Sequence, residues 1–428
     1  MDLLTWNKNG DDLLIGGETV ASVAKRFGTP LYLYDANIIL NRVGRIQQGF
    51  PEFMLFYSIK SNPNQAICAM MARRGLGAEI VSQGEFDLAR QVGFDIHNLA
   101  ITGPGKRRDE LETYINAGAE TIYAESLRDV QLIEEISTEQ QVSTLVLVRV
   151  NTAQAVNGAH EKMGGVPSQF GIPEEDVVGV LAGTRRQYVE FIGIHAFAAS
   201  QVINPSVLLD HFTRTAVMSK KVASDVGFPL KVINFGGGFG VPYDCMDQHL
   251  DIETLGVAVS NALKEVFPER ASKPIFYLEL GRYLVAECGI FLTEVLDVKR
   301  SRGITFVVTD AGINNFARPA MPWASQHPCA LVSKMSSKPS GIYRVVGPLC
   351  QPSDVLCNSV ELADPCPGDV VAFFNAGAYG YTLSPQQYHS KTMPAEVLYY
   401  EGNFHVVRER LDPSDLMFAQ SIPEQLQK

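Results

Sequence analysis

Residues Phe56 to Asn62 (FYSIKSN) end an apolar run on a lysine. Met54, Leu55, Phe56 and Tyr57 read as a buried strand, and Lys60 follows where that strand stops short of Pro63. An ammonium is costly to bury, so desolvation at such a place lowers the lysine's pKa. An amine that gives up its proton readily can form a Schiff base with a carbonyl group. Taken alone, the same lysine is more simply a side chain snorkelling out of a strand terminus.

Other polar residues stand at the ends of apolar runs. They are Glu79 with Ser82, Arg149 with Asn151, His195, the triplet Gly236, Gly237 and Gly238, and Glu279 ahead of Gly281 and Arg282. Each has an ordinary explanation. A lone histidine is usually a hydrogen-bonded structural residue, GGGFG is usually a tight turn, and Glu279 can pair with Arg282 as a plain salt bridge. As a set they fit one chemistry. Three successive glycines expose backbone amides to a phosphate with no Cβ in the way. Lys60 opposite can hold an aldehyde, Glu279 can keep a pyridine nitrogen protonated, and His195 can lie flat against a ring. Those are the needs of pyridoxal 5'-phosphate.

The elements that must position these residues recur regularly. Apolar strands are expected at FMLFYSIK, AEIVS (78–82), LAITG (99–103), TIYAES (121–126), TLVLVRVN (144–151), VEFIGIHAF (189–197), LKVINFGGG (230–238) and KPIFYLELG (273–281). Amphipathic segments at 65–74, 84–92, 107–117, 206–226 and 252–267 separate most of them. Eight strands, each followed by a helix or long loop, predict a (β/α)8 barrel, whose chemistry collects at the C-terminal strand ends. A doubly wound open sheet is the alternative, but no Gly-rich phosphate fingerprint follows the first strand. The Gly-, Asn- and Gln-containing stretch 152–171 reads as a mobile barrel loop. A helix is expected over 18–27 and a strand at LYLYD (31–35). Beyond Ala286, short strand-like runs alternate with Pro- and Gly-rich turns, which predicts an all-β domain. The expected division is an N-terminal segment 1–35 joining the β-domain, a barrel over 36–285, and a C-terminal β-domain over 286–428.

At 428 residues two domains are the default. A content of 46% hydrophobic and 19% charged residues describes a globular chain. A formal net charge of −11 argues against a nucleic-acid or anionic-membrane partner. The seven cysteines are scattered without a CxxC pair, which supports neither a disulfide framework nor a metal site. No signal-peptide pattern and no apolar run of about 18 residues is seen, so a cytoplasmic location is expected.

The chain resembles the fold-type III, PLP-dependent amino acid decarboxylases, which include diaminopimelate, ornithine and arginine decarboxylases. The motifs that carry the resemblance run through TPLYLYD (29–35), YSIKSN, GAEIVSQGE (77–85), GIHAFAASQ (193–201), NFGGGFG (234–240), ELGRYL (279–284), DAGINN (310–315), GPLCQPSD (347–354) and GAYGYTLS (377–384). The resemblance implies an alanine-racemase-like PLP barrel with a C-terminal β-domain. It implies that Lys60 carries PLP, that His195 stacks on the ring, and that Glu279 binds its nitrogen. Glu79, Ser200, Gly236, Gly237, Gly238, Gly281, Arg282 and Tyr379 would complete the cofactor site. Cys350 would enter from the second subunit of a homodimer and return a proton to the product. Arg282, Arg318, Gln351, Asp354 and Tyr379 would face the substrate. A glutamate at position 279, rather than an arginine, favours decarboxylation over racemisation.

The sequence departs from the family pattern at Leu280, Phe197 and Ala199, and above all at Gln351. Diaminopimelate decarboxylases carry a glutamate there that meets the substrate's distal ammonium. CQPSD, GPGKRRDELE (103–112) and KMGGVPSQFG (162–171) look closer to secondary-metabolism members, such as the butirosin decarboxylase of glutamyl-carrier protein and some siderophore enzymes. The expected function is decarboxylation of a conjugated or carrier-bound amino acid, with an acyl carrier protein as a candidate partner. The alternatives are diaminopimelate decarboxylase and a non-catalytic regulatory homologue; Lys60 and Cys350 together argue against the latter.

Overall fold

The computed structural model describes residues 6–427 apart from 120, 155–160, 185, 198, 245–246, 270–272 and 322–325. Contacts divide the chain into two units. One comprises Leu40–Pro242 and Asp247–Leu284; the other comprises Met1–Ile39, Tyr243–Met246 and Val285–Lys428.

The first unit is a closed parallel barrel. Its strands are β1 (Phe53–Ser58), β2 (Gly77–Ile80), β3 (Leu99–Ile101), β4 (Thr121–Ala124), β5 (Thr144–Asn151), β6 (Val189–His195), β7 (Val232–Asn234) and β8 (Ile275–Leu280). Neighbours pair in sequence order, and β8 pairs back onto β1 with Glu279 opposite Phe56. That ring excludes the open doubly wound sheet. The strands read as continuous apolar runs because both their faces are covered. Phe56, Ala100, Tyr123, Leu147, Ile192 and Val232 form one buried cluster drawn from six of the strands.

Short polar caps turn the strand ends into helices. Asn64, Ser82, Ser126, Asn204 and Asp251 each accept a backbone N–H of the helix that follows, namely Gln65–Arg73, Gln83–Val92, Leu127–Gln140, Pro205–Val226 and Ile252–Val266. Each satisfies one of the amides that a helix start leaves without an intrahelical partner. The sequence pattern had not announced Leu127–Gln140, nor Ala36–Gly49 and Val177–Ala182. Of the stretch expected to be mobile, 155–160 lie outside the described residues. Within the rest of it, Asn151 accepts from Gly165 N–H at 3.1 Å and donates to the Val166 carbonyl at 3.0 Å.

The second unit is β-rich. Leu31–Asp35 lies between Gly289–Ser301, which it pairs antiparallel, and Ala395–Tyr400, which it pairs in parallel. Over 18–27 the observed elements are a two-residue strand, Glu18–Thr19, and the helix Val20–Phe27. The core of the unit gathers Trp6, Leu13, Val23, Leu33, Ile290, Leu292, Phe374 and Val397 among others. Among the described residues no helix is long and apolar enough to cross a membrane.

Candidate active site

Lys60 sits on a single 3-10 turn, Ile59–Ser61, directly after β1. Its amine pairs with Glu79 at the end of β2. Here the structure corrects the sequence argument. The Lys60 side chain is 43% exposed, and it is Glu79, at 4%, that is buried. With that exposure and a carboxylate partner, the bare amine is not enclosed by the apolar strand that precedes it. Burial pushes the Glu79 carboxyl up; the charge of Lys60 and hydrogen bonds from Lys60, Thr102 and Ser58 outweigh this and hold it below the usual carboxylate range. Thr102 Oγ1 donates to Glu79 Oε1 at 2.7 Å.

Glu279 stands near the end of β8, buried, and is the opposite case. Burial and the neighbouring Glu79 push its carboxyl up to about 8. It does not pair with Arg282. Asn234 Nδ2, at the end of β7, donates to Glu279 Oε1 at 2.7 Å, and Asn234 Oδ1 accepts the Gly236 N–H at 2.7 Å. Asn234 also donates to Tyr123 Oη. His195 ends β6 in register with Asn234 on one side and Arg149 on the other. Burial, then the charges of Arg149 and Lys60, hold its pKa well below the ordinary value, so the ring is neutral. Both ring nitrogens are buried without a hydrogen bond among the described residues, and Nε2 lies 3.6 Å from Glu279 Oε2. Arg149 itself pairs with Glu125 at 3.0 Å.

The glycines after β7 are required by close approach. A Cβ on Gly237 would lie 1.7 Å from the Glu279 carbonyl oxygen. One on Gly238, where φ is +83°, would lie 2.1 Å from that of Ala199. The amides of Gly237 and Gly238 donate to no acceptor among the described residues. Beside them Arg282, buried, donates from Nη2 to Ser200 Oγ at 3.3 Å.

The barrel thus brings Lys60, Glu79, His195, Ser200, Gly236, Gly237, Gly238, Glu279, Gly281 and Arg282 to the C-terminal ends of β1, β2, β6, β7 and β8 and the loops after them. The remaining candidates belong to the β-rich unit. Cys350 is exposed there, and Tyr379 has a left-handed backbone, φ +54°. Gln351 Oε1 accepts from Tyr388 Oη at 2.8 Å. Asp354, expected at the substrate, is a brace instead. It is buried, with its two carboxylate oxygens taken by the amides of Ile313 and Leu349, each at 2.8 Å. Arg318 is 2% exposed, stacked 4.0 Å over the Tyr243 ring and within 2.6 Å of His327 Nε2. Sequence reasoning passed over Asn234 and Thr102; the only signal was a polar residue closing each apolar run.

A buried neutral imidazole offering its face, two undirected glycine amides, and an amine beside two carboxylates of opposite tendency together suit a flat, phosphorylated aldehyde with a basic ring nitrogen. A (β/α)8 barrel with such a site defines the pyridoxal-phosphate-binding class. Residues 36–286 match the family model "Pyridoxal-dependent decarboxylase, pyridoxal binding domain". The chain belongs to this family of PLP-dependent decarboxylases. It is 32% identical over 409 residues to the L-glutamyl-[BtrI acyl-carrier protein] decarboxylase of Niallia circulans, covering 94% of this chain and 96% of that one. It is 33% identical over 423 residues to the diaminopimelate decarboxylase of Methanothermobacter thermautotrophicus, covering 97% of each. Among solved structures, diaminopimelate decarboxylase from M. jannaschii in co-complex with L-lysine superposes with a TM-score of 0.91 at 27% identity, over 100% of both chains.

Proposed function

We propose that this PLP-dependent decarboxylase removes the α-carboxylate of an amino acid whose far end is conjugated or held on a carrier protein. The observation that carries this is the neutral Gln351 beside Cys350. A distal ammonium brought into a closed site needs a compensating anion, because an unpaired buried charge costs several kcal/mol. Gln351 supplies none. The similarity to an enzyme named for a glutamyl-carrier protein points the same way. A second reading, diaminopimelate decarboxylase of lysine biosynthesis, is favoured by relatives with that name at 33% and 31% identity over 97% of this chain.

In the proposed division of labour, Lys60 binds the cofactor covalently and Glu279 holds the proton at its ring nitrogen. His195, neutral, would lie against the ring. The amides of Gly237 and Gly238, with Ser200, Arg282 and Tyr379, hold the phosphate. Bound PLP supplies the electron sink that accepts the pair left on Cα as CO2 departs. Cys350, contributed by the partner subunit of a homodimer, would be the group that returns a proton to the product. The protein should be yellow, and borohydride should fix the cofactor to Lys60 and not to a Lys60→Ala variant. The substrate assignment is tested by kcat/KM. Weak turnover of free meso-diaminopimelate, ornithine and lysine is expected, and efficient turnover of meso-diaminopimelate would promote the second reading.

A further inference from the structure

We propose that Cys329 and Cys357, both in the β-rich unit, are a redox pair that a peroxide closes to a reversible disulfide. No spacing in the sequence announces them; the fold brings them together. Cys329 opens the strand Cys329–Leu331 and stands opposite Phe373. Cys357 lies opposite Val345 in Val355–Leu362, a strand at the edge of its sheet. Both cysteines are buried and free, and the Cys329 thiol donates a hydrogen bond to the Cys357 sulfur. Cys357 Sγ also lies 4.0 Å from Gln326 Oε1, three residues ahead of Cys329. Sulfurs already in hydrogen-bond contact need only a short approach to reach the S–S bond length of about 2.0 Å.

The pair is also polarised. The hydrogen bond from Cys329 outweighs burial and, with one from the Ser359 backbone, holds the Cys357 thiol down to about 7. The same contact, together with burial, pushes Cys329 well above the ordinary thiol value. Cys68 and Cys288, also buried, are pushed up by burial, Cys68 to about 12. The thiolate is the nucleophile, so Cys357 is the attacking sulfur and Cys329 the resolving one. Cys357 attacks one oxygen of hydrogen peroxide; an S–O bond forms, the O–O bond breaks, and hydroxide leaves to be protonated to water. The Cys329 sulfur then displaces the sulfenic hydroxyl, which departs with the Cys329 proton as a second water. Two thiols are oxidised by two electrons, and one peroxide is reduced to two waters. The new bond would close a loop of about 30 residues that carries Cys350, Gln351 and Asp354. It would also tie down an edge strand whose register with Gly341–Val346 shifts twice.

The test uses the holoenzyme, reduced, desalted and then exposed to a small excess of hydrogen peroxide. After alkylation of the remaining thiols, digestion without reductant should yield a Cys329–Cys357 cross-linked peptide that dithiothreitol abolishes. The oxidised protein should show an apparent melting temperature several degrees above that of the reduced one, reversed by the same reductant. Cys329→Ala should lose the cross-link and leave Cys357 as a sulfenic acid that dimedone traps. Cys357→Ala should leave Cys329 unoxidised under the same exposure. Should either variant fail to fold, the wild-type cross-link and its reversal still decide the pairing. Oxidation confined to the exposed Cys350 and Cys366, with Cys329 and Cys357 both recovered alkylated, overturns the proposal. Equal dimedone labelling of Cys329 and Cys357 in the two variants overturns the assignment of the attacking sulfur.

Discussion

Asn234→Ala should uncouple the two halves of the barrel site. Asn234 is fully buried; its Nδ2 serves Glu279 Oε1 and Tyr123 Oη, and its Oδ1 holds the Gly236 N–H. Truncation leaves at least the Gly236 amide and the Glu279 carboxyl without their partner. Each orphaned buried polar group costs about 1–3 kcal/mol, so the variant should lose about 2–6 kcal/mol of stability. The loss also reaches the cofactor. Without the amide donor Glu279 is harder to ionise, since Asn234 is one of the groups that draw its pKa down. Gly236, no longer tethered, stops fixing the glycine amides that follow. PLP affinity should therefore fall by about tenfold or more, which needs only about 1.4 kcal/mol of that loss. Urea unfolding of the PLP-free protein and PLP titration by absorbance measure the two effects. A stability loss under about 1 kcal/mol together with unchanged PLP affinity would refute the reasoning, because it would mean that neither orphaned group depends on Asn234.

The proposed sharing of sites across a homodimer predicts that Lys60→Ala and Cys350→Ala subunits, each inactive alone, regain part of the activity when mixed; verified subunit exchange without rescue counts against it. Glu279 makes the PLP-free protein pH-sensitive. Its folded value of about 8 lies above the ordinary 4.5, so the native state holds an extra proton between them, and stability should fall as pH rises across that window. Glu279→Gln should flatten the slope of urea midpoints between pH 5 and 8, and parallel curves for the two proteins would contradict the shift. Glu79, depressed by its lysine, acts in the reverse sense, contributing stability that is lost on acidification below its ordinary value.

The eight barrel strands were legible because a parallel strand covered on both faces must be apolar along its whole length. The edge strand Val355–Leu362 was not, since its burial alternates irregularly and Asn358, Ser359 and Glu361 interrupt the run. Helix Leu127–Gln140 was recoverable. Val130, Ile133 and Ile136 keep helical spacing, but acidic and amide residues between them dilute the pattern. Site chemistry was legible as residue types at strand ends, whereas burial was not. That Lys60 is exposed and Glu79 enclosed depends on side chains of other strands, which no local pattern reports. Asp354 shows the same limit. Its type suggested a ligand-facing acid, and only the fold reveals that the amides of Ile313 and Leu349 occupy it.

The electrostatics of the barrel site turn on Lys60. Its charge is the chief force ionising Glu79, it opposes the upward shift of Glu279, and it helps to keep His195 neutral. Two buried carboxylates beside one lysine cannot both ionise cheaply, and the geometry awards the charge to Glu79, which the lysine touches. Covalent use of the Lys60 nitrogen, as proposed, withdraws that contact, while a basic ring nitrogen beside Glu279 would give the second carboxylate a partner of its own. With the cofactor held as proposed, the negative charge would then sit on Glu279 rather than Glu79. His195 stays neutral in either state, because its first cause is burial and its second is Arg149, which is locked to Glu125 and not to the reacting groups. The ring proposed to lie against the cofactor is thereby held neutral whichever carboxylate carries the charge.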